Sequence, residues 1–136
     1  MPYISLVADG KLSSLKVFGD DFDTPDGTGV RDYIHIMDLA EGHIAALNKL
    51  IHGSSKGYEV YNLGSGCGYS VLDMIKSFAE ASGREIPYEI MPRRFGDVGA
   101  CYGSTKKAET ELGWKAKKNL KDICEDTWRW QVNISE

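Results

Sequence analysis

The stretch DGTGVRDYIHIMDLAEGH, residues 26–43, is the most specific part of this 136-residue chain, because it joins a loop, a strand and a helix start. After the glycine-rich turn, residues 31–36 are rich in β-forming side chains and run into Asp38. Asp38 followed by Glu41 has the spacing of a capping box, which predicts the first turn of a helix. The helix then continues with residues at helical spacing: Leu39, His43, Ala46, Leu47 and Leu50.

Working outward, short apolar runs predict further strands at residues 15–18, 58–63 and 88–91. Residues 20–29, rich in Asp, Gly and Thr, predict an exposed loop. The run 58–63 lies between two amphipathic helices, as a central strand of a doubly wound sheet does, and such a strand needs neighbours on both sides. Strands alternating with helices predict an α/β fold with some parallel pairing.

The other predicted helices are recognised by their ends. Residues 1–10 resemble the tail of a helix with Ile4, Val7 and Ala8 on one face. Ser70 with Asp73 opens a helix that Gly83 ends as a left-handed cap. The inward residues of that helix are Val71, Met74, Ile75, Phe78 and Ala79. A short helix capped by Ser104 and stopped by Gly113 has Ala108 and Leu112 facing inward. A last helix opened by Asn119 has Leu120, Ile123, Cys124 and Thr127 facing inward.

Composition excludes several classes of function. The apolar share of 42% and the charged share of 26% are typical of a folded soluble domain. A net charge of −4 argues against a nucleic-acid surface, and no apolar run is long enough to cross a bilayer. The three cysteines (Cys67, Cys101 and Cys124) form no CxxC pair, which argues against a zinc site or a disulfide framework. We therefore expect a cytoplasmic protein without nucleic-acid or membrane partners and without a metal.

A glycine-rich loop, Gly64-x-Gly66-x-Gly68, stands between a predicted strand and a predicted helix, as dinucleotide-binding loops do. The G-x-G-x-x-G fingerprint requires a glycine at position 69, which is Tyr69. No acidic residue follows at the end of a second strand some twenty positions on. A tight strand-to-helix turn is therefore the better interpretation.

Two arginines stand at strand ends and are candidates for binding an anion. Arg31 opens a strand, and Arg94 follows one and precedes Asp97. Arginine binds phosphate through two hydrogen bonds, so two such residues are able to clamp a diphosphate, while Asp97 has the chemistry to accept from a ribose diol. Taken alone, these side chains are better explained as surface charges. The residues supply neither a nucleophile–base pair nor a metal cluster.

In the order of its segments, the chain resembles the UDP-galactose 4-epimerases of the extended short-chain dehydrogenase/reductase family. The matching stretches are MPYISLVADGKL, LKVFGDDFDTPDGTGVRDYIHIMDLAEGHIAAL, YNLGSGCGYSVLDMI, RRFGDVGACYGSTKKAETELGW and CEDTWRWQ. The resemblance implies that residues 1–136 are the C-terminal UDP-sugar-binding region. It also implies that the N-terminal NAD-binding Rossmann segment lies outside this chain, and that one strand and helices of this chain complete the NAD-domain sheet.

The resemblance also implies roles for individual residues. Val17 and Phe18 match the positions that hold uracil, through backbone and ring contacts. Arg31 and Arg94 match the pair that grips the diphosphate. The other implied site residues are Asp97 on the ribose and Cys101 beside the sugar, where a small residue admits N-acetylated sugars and a tyrosine restricts the site to plain hexoses. Lys16 departs from the asparagine that is common before Val-Phe.

For the whole enzyme the resemblance implies a homodimer that interconverts UDP-glucose and UDP-galactose in galactose metabolism, with NAD as the hydride carrier. We expect neither the NAD loop nor the catalytic Tyr-x-x-x-Lys pair in this chain, hence no catalytic residue, no cofactor bound to it alone and no turnover by it alone. Two alternatives stay open. One is a non-catalytic nucleotide-sugar-binding or regulatory module, and the other is a fragment of a sister sugar-nucleotide dehydratase or decarboxylase.

Overall fold

The computed structural model describes residues 1–53 and 57–135, and its elements alternate between helix and strand. The helices are α1 (Pro2–Ala8), α2 (Ile36–His52), α3 (Val71–Ser82), α4 (Lys106–Leu112) and α5 (Leu120–Ser135). The strands are β1 (Leu15–Phe18), β2 (Val30–Arg31), β3 (Tyr69–Ser70), β4 (Tyr88–Met91) and β5 (Ala100–Cys101). No helix in the described ranges has the length and apolar character needed to cross a bilayer.

The strands form two small sheets, both with parallel pairing. In the first, β1 pairs in parallel with β4, so that Leu15 lies opposite Tyr88 and Phe18 opposite Met91. In the second, β2 is central, antiparallel to β3 and parallel to β5. The predicted α/β fold with some parallel pairing is confirmed, as are the strands at 15–18 and 88–91.

The core lies where α1, α3 and α5 pack on the inner face of β1. Phe78 at its centre is fully buried and meets the Trp128 ring edge-on at 6.3 Å between centroids. The predicted ends of α3 are confirmed, because Ser70 and Asp73 form a reciprocal capping box and Gly83 has a φ of +63°. The buried core consists of Ile4, Val7, Ala8, Val17, Met74, Ile75, Phe78, Ile86, Leu120 and Cys124.

The region around residues 31–38 differs from the prediction. Only Val30–Arg31 is a strand, and α2 begins at Ile36, where the predicted strand was to end. The cap of α2 is His35, whose Nδ1 accepts from the Met37 N–H at 3.1 Å. Asp38 is buried and does not cap the helix: its carboxylate accepts from the Lys118 N–H at 2.9 Å. The capping box with Glu41 was therefore wrong, because a tertiary contact uses Asp38.

Residues 58–63 form no strand in this chain, contrary to the prediction. Tyr58 is 90% exposed and Val60 67% exposed, and no strand among the described residues pairs with them. Side chains hold the segment instead: Lys49 Nζ donates to the Tyr61 hydroxyl at 2.6 Å, and Lys107 Nζ donates to the Val60 carbonyl at 3.0 Å. A strand needs a neighbour for its backbone groups, and none is supplied here.

Two smaller differences concern the cap of α4 and the loop at 20–29. The helix α4 begins after Thr105, so Ser104 is not its N-cap. The loop is less exposed than predicted, because Phe22 and Thr28 are buried and the Thr28 hydroxyl donates to Asp26 at 2.7 Å. Gly27 has a φ of +79°, and an added Cβ would lie 2.0 Å from the Asp20 carbonyl oxygen. The turn therefore requires glycine at position 27.

Candidate functional site

A cleft of about 760 Å³ runs along β1 and gathers most of the predicted site residues. Its lining includes Val17, Phe18, Arg31, Arg94 and Asp97. These residues come from three separate parts of the chain, since β1, β2 and the loop after β4 each contribute. The structure thus brings five of the six predicted residues together, while the role of each stays a prediction.

The free edge of β1 gives this cleft backbone donors and acceptors. The Leu15 and Gly19 N–H groups donate to the carbonyls of Pro87 and Met91 in and beside β4, both at 2.8 Å. Backbone groups alternate in direction along a strand, so those of Lys16 and Phe18 point away from β4, towards the unpaired edge. The cleft wall therefore offers an alternating row of N–H and C=O groups.

At one end of the cleft, an arginine is stacked on an aromatic ring and paired with a carboxylate. The Arg94 guanidinium lies 4.8 Å from the centroid of the Phe18 ring. Its Nε and Nη2 donate to the two Asp97 oxygens at 2.9 and 3.2 Å. These hydrogen bonds lower the pKa of Asp97 and raise that of Arg94, so both groups are charged at neutral pH. A bound phosphate would compete with Asp97 for this guanidinium.

The Arg31 side chain is held by two backbone carbonyls. Its Nη1 donates to the Val30 carbonyl at 2.7 Å and to the Gly99 carbonyl at 3.3 Å, which leaves other guanidinium donors for a ligand. Tyr33 also lines the cleft, and burial raises the pKa of its phenol above the usual value. Sequence reasoning missed Tyr33, although its position two residues after Arg31 was an available signal.

Cys101 lies beside the cleft but does not line it. It pairs with Arg31 across β2 and β5, and both residues line a second cavity of about 460 Å³. Arg31 borders both cavities. If a ligand binds Arg31 through an anionic group, the part of the ligand attached to that group can therefore extend towards Cys101.

The glycine loop at 64–68 does not fit a dinucleotide. The Asp32 carboxylate accepts from the Ser65 and Gly66 N–H groups, at 2.8 and 3.2 Å. An added Cβ at Gly64 would lie 2.3 Å from that carboxylate. Since the Asp32 carboxylate already uses these two amides, they are not free for a pyrophosphate, and the carboxylate makes the local field unfavourable for an anion. The loop is therefore a turn held by Asp32, but it is not the predicted strand-to-helix turn, because residues 58–63 before it form no strand.

One sequence expectation needs a correction. Tyr102 and Lys106 do have the Tyr-x-x-x-Lys spacing that the chain was expected to lack. Side chains four residues apart become neighbours when both lie on one helix. Tyr102 lies in the loop after β5 and Lys106 is the first residue of α4, so the helical geometry is absent. Within the described part of the chain, no hydrogen bond joins the two residues.

Comparison with known proteins gives consistent results. The family model described as GDP-mannose 4,6 dehydratase matches residues 1–127. The UDP-glucose 4-epimerase of Bacillus subtilis is 56% identical over 131 residues, which are 96% of this chain and 38% of that protein. The chain therefore spans about 38% of the length of this curated relative.

Two solved structures superpose closely on this fold. The UDP-glucose 4-epimerase of Bifidobacterium longum, in complex with NAD⁺ and UDP, has a TM-score of 0.90 at 53% identity and covers 97% of this chain, which is 38% of that one. The enzyme of Stenotrophomonas maltophila, with bound NAD and formylated UDP-arabinopyranose, has a TM-score of 0.93 at 47% identity, over 98% of this chain and 39% of that one.

Proposed function

This chain belongs to the family described by the GDP-mannose 4,6 dehydratase model and, within it, is a C-terminal part of a UDP-glucose 4-epimerase; we propose that it carries the UDP-sugar site of that enzyme. The observation that supports the proposal most is the cleft along β1. There a strand edge with free backbone groups stands beside two guanidinium groups, those of Arg31 and Arg94.

The cleft has the chemistry that a uridine diphosphate requires. Uracil presents acceptor, donor and acceptor groups along its O2, N3–H and O4 edge, and the unpaired edge of β1 at Lys16 and Phe18 presents donors and acceptors in alternation. Arg31 and Arg94 then face the diphosphate, where charge-assisted hydrogen bonds are strongest. Asp97, once Arg94 turns to phosphate, accepts from the ribose hydroxyls.

The affinity of the chain for UDP follows from a simple balance. Two charge-assisted contacts, at about 1.5–3 kcal/mol each, oppose an association cost of at least about 4 kcal/mol. This balance leaves at most about 2 kcal/mol, whereas a Kd of 1 mM corresponds to about 4 kcal/mol, so the base contacts must supply at least about 2 kcal/mol for the Kd between high micromolar and millimolar that we expect.

Calorimetric titration of UDP into the chain tests this proposal. Arg94→Ala should weaken binding about tenfold or more, and the double substitution with Arg31→Ala should weaken it further. Arg84→Ala is the matched control, because Arg84 is exposed and lies outside the cleft lining. Equal UDP affinity in the parent and the double variant would refute the proposal that Arg31 and Arg94 bind the diphosphate.

For the whole enzyme we propose interconversion of UDP-glucose and UDP-galactose in galactose metabolism, with NAD held by the part that this chain does not include. When bound, NAD takes up and returns a hydride. The residues here bind and orient the nucleotide and supply no base, so the chain alone should stay at background in a coupled epimerase assay with added NAD⁺. Turnover that survives rigorous repurification would contradict this.

The outward surface of α2 fits the proposal that residues 1–136 are one region of a larger enzyme. Its exposed apolar side chains are Ile36, Met37, Ile44, Leu47, Leu50 and Ile51, and Tyr58 and Val60 lie exposed in the segment that follows. Apolar patches of this kind mark interfaces. We propose that the NAD-binding segment covers this face and gives residues 58–63 the strand neighbours they lack here.

The same face also fits the alternative of a non-catalytic nucleotide-sugar-binding module that pairs with another chain. Identity of 56% to an epimerase favours the epimerase over a sister dehydratase or decarboxylase. A homodimeric whole enzyme in the cytoplasm is part of the proposal. The cytoplasmic location is supported by the three cysteines, which are all free thiols in the structure.

A further inference from the structure

The ammonium group of Lys16 is a cation of the cleft that the proposed function does not use. Lys16 lines the cleft, is exposed, and makes no hydrogen bond or ion pair within residues 1–53 and 57–135. Its cross-strand neighbour in β4 is Glu89, whose carboxylate instead accepts from the Ser14 hydroxyl at 2.6 Å. The ammonium group is therefore available to a ligand.

The position of Lys16 along β1 separates it from the diphosphate end. Lys16 and Phe18 lie on the same face of the strand, opposite the buried Val17, because side chains alternate. Phe18 lies opposite Met91, the last residue of β4, and Arg94 follows beyond it and covers the Phe18 ring. Lys16 lies two residues back from Phe18, roughly 7 Å in the other direction. A nucleotide with its phosphates at Arg94 and its base at the free edge of β1, as proposed above, therefore has its base towards Lys16.

The chemistry of lysine distinguishes between the pyrimidine bases. An ammonium group has three donors and no acceptor. Uracil carries a carbonyl oxygen at C4, which accepts from such a donor, whereas cytosine carries an amino group there, which has only N–H donors to offer. An ammonium placed at the C4 substituent therefore favours uracil, whose O4 accepts from it, over cytosine, whose amino group does not.

We infer that the Lys16 side chain is a specificity-determining residue that donates to the uracil O4 carbonyl and selects uridine over cytidine nucleotides. The inference rests on the proposed UDP-sugar function, and it deepens that function by assigning base selection to a side chain. The backbone of β1 contributes to the same choice, so Lys16 adds to a preference that the strand edge already has.

Calorimetric titration with UDP and CDP tests this, on the chain itself and on Lys16→Met, which removes the charge and keeps most of the stem. UDP binding should weaken about fivefold or more, CDP binding should stay within about twofold, and the ratio of the two affinities should fall accordingly. Lys16→Arg keeps the donors and should retain most of the ratio. Lys76→Met is the matched control, because it makes the same charge change on the exposed side of α3, away from the cleft.

Each other outcome has a definite meaning. An equal loss for UDP and CDP would show that Lys16 acts on the phosphates, and an unchanged ratio in Lys16→Met would show that it does not touch the base; either result overturns the inference alone. If the parent binds UDP no better than inorganic phosphate, the proposed function fails and the inference fails with it. Thermal melts of all variants by circular dichroism verify that a lost affinity is not lost folding.

Discussion

The aspartates of this chain show how one residue type serves different purposes. Asp32 fills the glycine loop by accepting from the Ser65 and Gly66 amides, Asp38 joins α2 to the start of α5, and Asp97 pairs with Arg94 at the cleft. Sequence spacing alone predicted that Asp38 caps a helix, because such a local rule does not include contacts with residues distant in the sequence, such as the Lys118 N–H. Arg31, Arg94 and Asp97 were candidates from their positions at strand ends, but only the family resemblance favoured a binding role over ordinary surface charge.

At the residue scale, Cys101 should decide the substrate range of the whole enzyme. An N-acetyl group adds several heavy atoms at C2 of the sugar, and a close-packed wall cannot absorb them. Cysteine leaves that space open beside Arg31, whereas a tyrosine ring would fill it. Cys101→Tyr should abolish turnover of UDP-N-acetylgalactosamine and leave UDP-galactose turnover largely intact, as measured by kcat/KM for each sugar.

The control for this experiment is Cys101→Ser, which keeps the volume small and should retain both substrates. If Cys101 only packs against its neighbours, the tyrosine would lower kcat/KM for both sugars in parallel through lost stability. A parallel fall in kcat/KM for both sugars would therefore contradict the prediction that Cys101 decides which sugars are accepted.

At the element scale, the predictions succeeded where the signal was local. The reciprocal cap of Ser70 and Asp73, the left-handed Gly83 and Gly113, and the cap of α5 at Asn119 all depend on residues within a few positions of each other. At α2, the predicted capping residue Asp38 is instead engaged by the distant Lys118 N–H, and the segment 58–63 has no neighbouring strand among the described residues. Local rules therefore failed at these places.

The contact of Asp38 with the α4–α5 connection should contribute more to the free energy of unfolding than a local helix cap would. The Lys118 N–H donates to its carboxylate at 2.9 Å, and the Trp114 indole N–H donates to its backbone carbonyl at 3.0 Å. Asp38→Ala leaves the Lys118 N–H without its acceptor, which costs about 1–3 kcal/mol of unfolding free energy. Asp38→Asn keeps one acceptor oxygen and should lose less.

Urea denaturation followed by circular dichroism measures this difference. Asp23→Ala is the control, because that carboxylate is exposed and makes no hydrogen bond in the described residues. Equal midpoints for Asp38→Ala and the parent would rule out the tertiary role of Asp38.

At the scale of the whole molecule, the chain has a well-packed core on one side and an apolar helix surface on the other. Phe78 is fully buried, while Leu47 in α2 remains 54% exposed. Since such a surface favours association, the isolated chain should self-associate as its concentration rises. The paired change Ile44→Lys and Leu47→Glu keeps the net charge and removes apolar area, so it should shift the chain towards monomer without lowering Tm.

Sedimentation velocity over a concentration series measures this. The exchange Lys76→Glu with Glu80→Lys, on the exposed side of α3, alters charges without altering apolar area and should leave association unchanged. Identical sedimentation of the parent and the α2 variant at every concentration would count against α2 as an interface.

Amide NMR of the isotope-labelled chain, titrated with UDP, is the decisive test of a UDP-sugar site along β1. We expect amide shifts that saturate together at Lys16, Phe18, Arg31 and Asp97, with the outward face of α2 and the glycine loop unchanged. Titration with inorganic phosphate should move the signals near Arg31 and Arg94 and leave those of Lys16 in place. UDP shifts confined to the glycine loop or to α2, or no saturable shift along β1, would show that the site does not lie along β1.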